Sequence, residues 1–350
     1  MANLLFHLGL LSLHDLFQAK KGKTYRILMF HRILDKEGDS YDYSHPGIVV
    51  FKATLAKQMR FLADRYNVIS FDKLVEALKI GRKLPPKTVV ITFDDGWRDN
   101  YLNAYPVLKN HNLPAIIFLS TCFLENNKLF WPETLNYLIG QGKSGVQHLG
   151  LTLRELSQKV KDPLQRRILQ SLLDVYQHPL KRIELMKRID PDLREEIFCS
   201  LKRYFSRADD GIQSRRWSLT WEEAMEMAED GITFGSHGVS HEPLPLLGKP
   251  EIMKELFDSK KIIEKRLRAN VRFFAYPNGD YNTETQRLAQ AAGYEAACTT
   301  GRGWSSDNLF EMERIGVHDS ISTGLRGKFS GAMFACLVAG IWSLSEGEPR

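Results

Sequence analysis

A chain of 350 residues, 43% hydrophobic and 26% charged, has the composition of an ordinary globular protein, long enough for one large α/β domain or two small ones. Its net charge of +6 is modest, and its basic clusters (Lys20–Lys23, Arg166-Arg167, Lys181-Arg182, Arg215-Arg216) are not interleaved with stacking aromatics, which argues against nucleic-acid binding and leaves a weak preference for anionic surfaces. The cysteines Cys122, Cys199, Cys298 and Cys336 form no CxxC pair, which excludes a disulfide framework or a zinc knuckle; they read as reduced, buried thiols and favour the cytoplasm.

The chain opens on an apolar segment, residues 1–24, that lacks a basic leader and a small-residue cleavage site and carries His7 and His14, so it fits a secretory signal poorly. Leu4, Leu5, Leu8, Leu11, Leu13 and Phe17 suit an amphipathic helix, either packed on the protein or lying on a membrane surface, with an atypical signal as the remaining reading. A main domain is expected over residues 25–325. It begins with a strand, Arg26–Ile33, with His31 near its end; Asp35–Val50 reads as loop. Then come a helix over Lys52–Arg65, a strand over Asn67–Ser70 and a helix over Phe71–Lys79. After Pro85-Pro86, the run Val89–Gly96 (VVITFDDG) predicts a strand buried on both faces, with Asp94 and Asp95 at its C-terminal end. Neighbouring strand residues point opposite ways, so the two carboxylates can do different work, although Asp-Asp-Gly alone is equally good turn chemistry. A helix over Tyr101–His111 and a strand over Ala115–Ser120 complete a βαβαβαβ series, which predicts a parallel sheet or barrel.

Residues 122–219 are charged and helix-patterned without a convincing strand, and are expected to form a long helical insertion in the barrel. The α/β rhythm returns with a helix over Thr220–Asp230, opened by a Thr220/Glu223 capping box and ended by Gly231. Strands are predicted at Ile232–Phe234, Val271–Tyr276, Glu295–Thr299 and Arg314–His318, with helices over Lys249–Leu267 and Thr283–Ala292. The tail, residues 326–350, has an apolar stretch Phe329–Trp342 that is short of the ~20 residues needed to span a bilayer; burial is expected, peripheral membrane contact being the alternative.

Three polar clusters each follow a predicted strand and precede a helix: Asp94-Asp95, His237-x-x-x-His241 and Pro277-Asn278-Gly279. A lone HxxxH pair says little. Beside a strand-end carboxylate pair it makes a three-ligand site with open positions, able to acidify water or polarise a carbonyl, while the second carboxylate stays available as a general base.

On these motifs the chain resembles the NodB-homology polysaccharide deacetylases, carbohydrate esterase family 4. Thr92–Gly96 matches TFDDG, and His237 to His241 matches H-[ST]-x-x-H except that Gly238 replaces Ser/Thr; the likeness covers most of Arg26–Ser320. The resemblance implies a distorted (β/α) barrel of the NodB type. It implies Asp94 as base and Asp95, His237 and His241 as ligands of a divalent metal, commonly Zn2+, with Co2+ or Ni2+ as alternatives. Two departures stand out. The third motif, R-x-P-[FY]-G, is here Ala275-Tyr276-Pro277-Asn278-Gly279, so the arginine that orients the base is absent while the Asn278 N–H can still serve an oxyanion; Arg314 and His31 are candidate partners for Asp94. The general acid of the family is a late histidine, for which Val317-His318 stands in roughly the right place, with His31 or a metal-bound water as substitutes.

The expected reaction is metal-dependent hydrolysis of the N-acetyl group of an amino sugar in a polysaccharide or lipid-linked glycan, water on the metal being the nucleophile. Trp97, Tyr101, Tyr276, Tyr281 and Trp304 are candidates to line the sugar site, though each taken alone reads equally as core. The rivals are a deformylase or O-deacetylase on a lipid-linked sugar, and a decayed sugar-binding homologue. A cytoplasmic, membrane-peripheral enzyme is expected, export being the alternative, and no oligomeric state is implied.

Overall fold

The computed structural model describes residues 25–35, 44–126, 129–140, 143–204, 216–301, 303, 308–324 and 328–341. The N-terminal segment 1–24, Trp304 and the end of the tail lie outside them. In chain order the elements are β1 Tyr25–Phe30, β2 Arg32–Leu34, β3 Val49–Phe51, α1 Lys52–Arg65, β4 Asn67–Val68, α2 Phe71–Lys79, β5 Thr88–Phe93, α3 Tyr105–Asn110, β6 Ile116–Leu119 and α4 Thr121–Asn126. The helices α5 Trp131–Gly140, α6 Lys143–Lys159, α7 Pro163–Val175, α8 Pro179–Met186 and α9 Pro191–Tyr204 follow. Then come α10 Trp221–Glu229, β7 Thr233–Ser236, α11 Lys249–Leu267, β8 Phe273–Ala275, α12 Thr283–Ala291, β9 Ala296–Thr300, β10 Met312–Gly316 and α13 Gly331–Val338. These elements divide into two compact units, one of Met1–Glu37, Pro46–Asn126 and Trp217–Arg350, the other of Gly38–His45 and Asn127–Arg216.

In the first unit the strands β1, β5, β6, β7, β8, β9 and β10 are all parallel and close into a barrel, because β1 pairs with β10 on one side and with β5 on the other. The β1–β5 register runs from Tyr25 opposite Thr88 to Phe30 opposite Phe93, so both strands reach their C-terminal ends at the same level. Alternate strand residues face inward, giving a core of Ile27, Val90, Phe118, Ala275, Cys298 and Met312 among others. Helix α2 joins the same core through Phe71, Leu74 and Val75, with the Phe71 ring 4.8 Å from that of Phe273. Phe273 opens its strand, so α2 plugs the N-terminal mouth and leaves the opposite rim for chemistry.

Several predicted elements are redrawn. The strand expected to run through His31 breaks there, and its continuation β2 pairs with β3, which takes up the last two residues of the segment read as loop, Val49 and Val50, together with Phe51. The helix expected over Tyr101–His111 is a π-turn over Asn100–Ala104 followed by α3, since Pro106 has no N–H to give and is accommodated only in a first turn. The Thr220/Glu223 capping box forms as expected. In the tail, α13 buries Ala332, Phe334, Ala335, Cys336 and Leu337, and Phe334 meets Phe61 edge-on at 5.8 Å. No described helix is long and apolar enough to cross a membrane. The cysteines depart from the expectation of burial: Cys298 and Cys336 are buried, Cys122 only partly, and Cys199 is exposed. Helix α9 buries Leu193, Ile197, Phe198 and Leu201, and that stripe turns Cys199 outward.

The second unit is helical, with a core of its own built from Leu135, Leu138, Leu149, Leu153, Leu169, Leu172, Ile183, Met186 and Ile197. Of the stretch read as the insertion, α4 and Trp217–Leu219 belong to the first unit.

Candidate active site

At the C-terminal end of β5 the two carboxylates part. The Asp94 N–H donates to the Phe30 carbonyl at 3.0 Å, continuing the β1–β5 ladder. Asp95 then turns away with φ of 77°. Asp94 is 2% exposed. Its two oxygens accept from the Arg314 guanidinium, Nη1 to Oδ1 at 2.6 Å and Nη2 to Oδ2 at 2.7 Å. Arg314, fully buried on β10, also donates to Thr92 Oγ1 and the Thr299 carbonyl and lies over the Phe118 ring. Burial alone would raise the Asp94 pKa; the charges of Arg314, His237 and His31 and the Arg314 hydrogen bond outweigh it and bring the pKa from 3.8 down to about 2. The motif arginine missing at Ala275 is thus matched by one from another strand. Ala275 itself belongs to the barrel core with Phe118, whose ring also meets the Arg314 guanidinium.

Asp95 faces the histidines. Its Oδ1 lies 3.6 Å from His237 Nε2 and 3.4 Å from His241 Nε2. One ligand atom from each of the three residues lies within 4.8 Å of the others. Bonds of ~2.0–2.1 Å to a common tetrahedral centre would set donors about 3.4 Å apart, so the oxygen–nitrogen spacings fit a divalent cation with an N2O donor set. His237 Nδ1 lies 2.7 Å from the Ala275 carbonyl, an acceptor only, so Nδ1 carries the proton and Nε2 keeps its lone pair for the site. Burial lowers the His237 pKa, aided by Arg314 and opposed by Asp94 and the Ala275 hydrogen bond, and so favours the neutral form a ligand requires.

A residue not expected in this role holds Asp95 in place. Trp97, a candidate sugar platform from sequence, is fully buried, and its Nε1 donates to Asp95 Oδ2 at 2.8 Å, which turns Oδ1 to the histidines. The Arg32 guanidinium sits 4.1 Å over the Trp97 ring and is paired with Asp99 at 3.0 Å. Asn100 donates to the His31 carbonyl at 2.7 Å. The residues after the Asp-Asp pair therefore tie the β1 and β5 ends together. The only sequence trace of this was their closeness to the motif.

His31 Nε2 stands 3.8 Å from Asp94 Oδ2. His318, the candidate late histidine, is instead bonded through Nδ1 to Ser320 Oγ at 2.8 Å. Among the described residues no hydrogen bond or ion pair joins His318 to Asp94, Asp95, His237 or His241. Burial lowers its pKa, against the pull of Asp319. The Pro277–Gly279 turn follows β8. Asn278 has φ of 57°, and no described residue accepts from its N–H. Gly279, with φ of +79°, is required: a Cβ there would lie 2.3 Å from Thr300 Oγ1. Asp95, His241 and Asn278 are thus three non-glycine residues in the left-handed region, strain that collects at functional sites. Tyr276 departs from a sugar-contacting role: its ring is 0% exposed, packed between Phe274 and Tyr281. Tyr281 is exposed, and Tyr101 donates from its hydroxyl to Glu226.

A sequence profile described as Polysaccharide deacetylase matches residues 81–185 and 191–297. YxkH of Bacillus subtilis (strain 168), which bears the name of a polysaccharide deacetylase, is 25% identical over 309 residues, 87% of this chain and 74% of its own length. The poly-β-1,6-N-acetyl-D-glucosamine N-deacetylase of Escherichia coli (strain K12) is 31% identical over 90 residues, which cover 25% of this chain and 13% of that protein. Among solved structures, the Streptococcus pyogenes deacetylase PplD in complex with acetate superposes with a TM-score of 0.55 at 21% identity, covering 85% of this chain and 94% of that one. That likeness is one of fold, a NodB-type (β/α) barrel.

Proposed function

The chain belongs to the polysaccharide deacetylase family, hydrolases of non-peptide carbon–nitrogen bonds, and on that premise we propose that it removes the N-acetyl group from an amino sugar of a polysaccharide or lipid-linked glycan. The observation that carries the reading is the division of two adjacent carboxylates, Asp94 onto Arg314 and Asp95 toward His237 and His241. A divalent cation held by Asp95, His237 and His241, Zn2+ being the ordinary choice for this donor set, would supply Lewis acidity to the attacking water and the acetyl carbonyl.

The chain's own residues supply the rest. Asp94, ionised at neutral pH and aimed by the bidentate Arg314, accepts a proton from water as its oxygen attacks the acetyl carbon. The Asn278 N–H, preset by the Pro277–Gly279 turn, donates to the oxygen that gains charge. His31, beside Asp94, gives a proton to the sugar nitrogen as the carbon–nitrogen bond breaks, leaving acetate and a free amine. We assign the acid to His31 over His318 on proximity to Asp94. The similarity to a poly-β-1,6-N-acetyl-D-glucosamine N-deacetylase supports an N-acetylhexosamine polymer as substrate. The Arg314–Asp94 pair speaks against a decayed site, whose main support was the missing motif arginine.

The test is acetate release from N-acetylglucosamine oligomers by wild type, Asp95→Asn and His237→Ala, with a chelator and with added Zn2+. Loss of turnover in both variants and in chelator is expected. Unchanged turnover in both variants would overturn the site, and release confined to O-acetyl or formyl substrates would overturn the substrate class.

A further inference from the structure

His237 and His241 are joined by an irregular loop, not a helical turn. Gly238 has φ of +83° and His241 φ of 62°, so the backbone coils back on itself between the two histidines. Such a loop exposes its N–H groups, and here they converge on one side chain. The carboxylate of Glu255, on α11 and 7% exposed, accepts from the Val239 N–H at 2.6 Å, the Ser240 N–H at 3.0 Å and the Ser240 hydroxyl at 2.6 Å. One helical turn on, Ser259 Oγ accepts from the Ser236 hydroxyl at 2.7 Å, and Ser236 Oγ accepts from the Gly238 N–H at 3.2 Å. The loop carbonyls are held from the other side, Gly238 by the Thr121 N–H at 3.1 Å and Val239 by the Cys122 N–H at 2.9 Å.

A Cβ on Gly238 would lie 2.7 Å from Glu255 Oε2. The glycine that replaces the expected Ser/Thr is therefore the residue that lets this carboxylate close on the loop. Glu255 is absent from every motif that marked the site, because its link to the histidines runs through backbone N–H groups.

We propose that Glu255 is a positioning residue for the metal site, fixing the loop so that both histidine Nε2 atoms stay opposite Asp95 Oδ1, with Gly238 as its necessary counterpart. This rests on the reading of Asp95, His237 and His241 as metal ligands. Glutamine at this position keeps the volume, but its NH2 would face the loop's own donors, so one arm of the clamp is lost. Groups that orient metal ligands in this way typically contribute about 10- to 100-fold in metal affinity.

The experiment measures Zn2+ dissociation constants by chelator competition on the full chain for wild type, Glu255→Gln, Ser240→Ala and Asp95→Asn, with thermal midpoints of the metal-free proteins alongside. Weakening of about 10- to 100-fold is expected in Glu255→Gln. A smaller loss in the same direction is expected in Ser240→Ala, an exposed position that tolerates truncation. A lowered metal-free midpoint with wild-type Zn2+ affinity in both variants would show a purely structural carboxylate and overturn the proposal. Wild-type affinity in Asp95→Asn would instead overturn the ligand assignment, and the proposal with it.

Discussion

Residue by residue, the site depends most on Arg314, which sets both the aim and the charge of Asp94. Arg314→Lys keeps the charge but loses the two-pronged contact, and Arg314→Ala leaves a buried carboxylate unpaired, at a cost of about 3–5 kcal/mol. Losing the guanidinium removes the two-pronged hydrogen bond in both variants and the charge as well in Arg314→Ala, so the Asp94 pKa rises from about 2 and the acid limb of kcat/KM is expected to move to higher pH in both, further in Arg314→Ala; an unmoved limb would contradict the pairing. The stability term has the same origin. A carboxylate with a depressed folded pKa stabilises above its ordinary value of 3.8 and loses that stabilisation as pH falls through about 2, so acid unfolding should begin at higher pH in Arg314→Lys. At this scale the sequence revealed residues that carry a spacing: Asp94 and Asp95 are adjacent, and His237 and His241 lie four apart. Arg314 and Glu255 carry none. The first is 220 residues from its partner and the second acts on backbone, so the arginine could be no more than one candidate among two and the glutamate was invisible.

Among the elements, the strand ends were legible because a buried parallel strand reads as a continuous apolar run and stops at its polar residues. β6 and β8 lie within one or two residues of their expected bounds, while β5 begins one residue early and ends at Phe93, three residues short of Gly96. The misses have local causes: Pro106 displaced the start of α3, and β2 and β3 are too short for any periodicity to show. The Pro277–Gly279 turn makes a sharper case, since its shape depends on one missing Cβ. Gly279→Ala should push on Thr300, reset the Asn278 N–H and lower kcat with little effect on Zn2+ binding. Wild-type kcat in that variant would remove the turn from the oxyanion role.

For the whole molecule, βαβ order predicts a parallel sheet or barrel and leaves the two open; the family resemblance implies the barrel, and the closure of β1 onto both β5 and β10 bears that out. The helical stretch was legible as helical, but that it buries a core of its own depends on which faces of α5 to α9 meet, a pairing that periodicity does not encode. If the cation site is part of the native first unit, Zn2+ at 100 times its Kd should stabilise that unit by about 2.7 kcal/mol, a rise of roughly 5–10 °C in its thermal midpoint. Asp95→Asn should show no such rise, and an equal rise in that variant would place the metal elsewhere. The central claim, that Asp94 moves the proton while its neighbour holds the metal, is tested most directly by Asp94→Asn. Acetate release and bound Zn2+ should be measured on the same preparation. The account predicts full metal content with turnover down by about 10²- to 10⁴-fold; wild-type turnover with metal bound would contradict it.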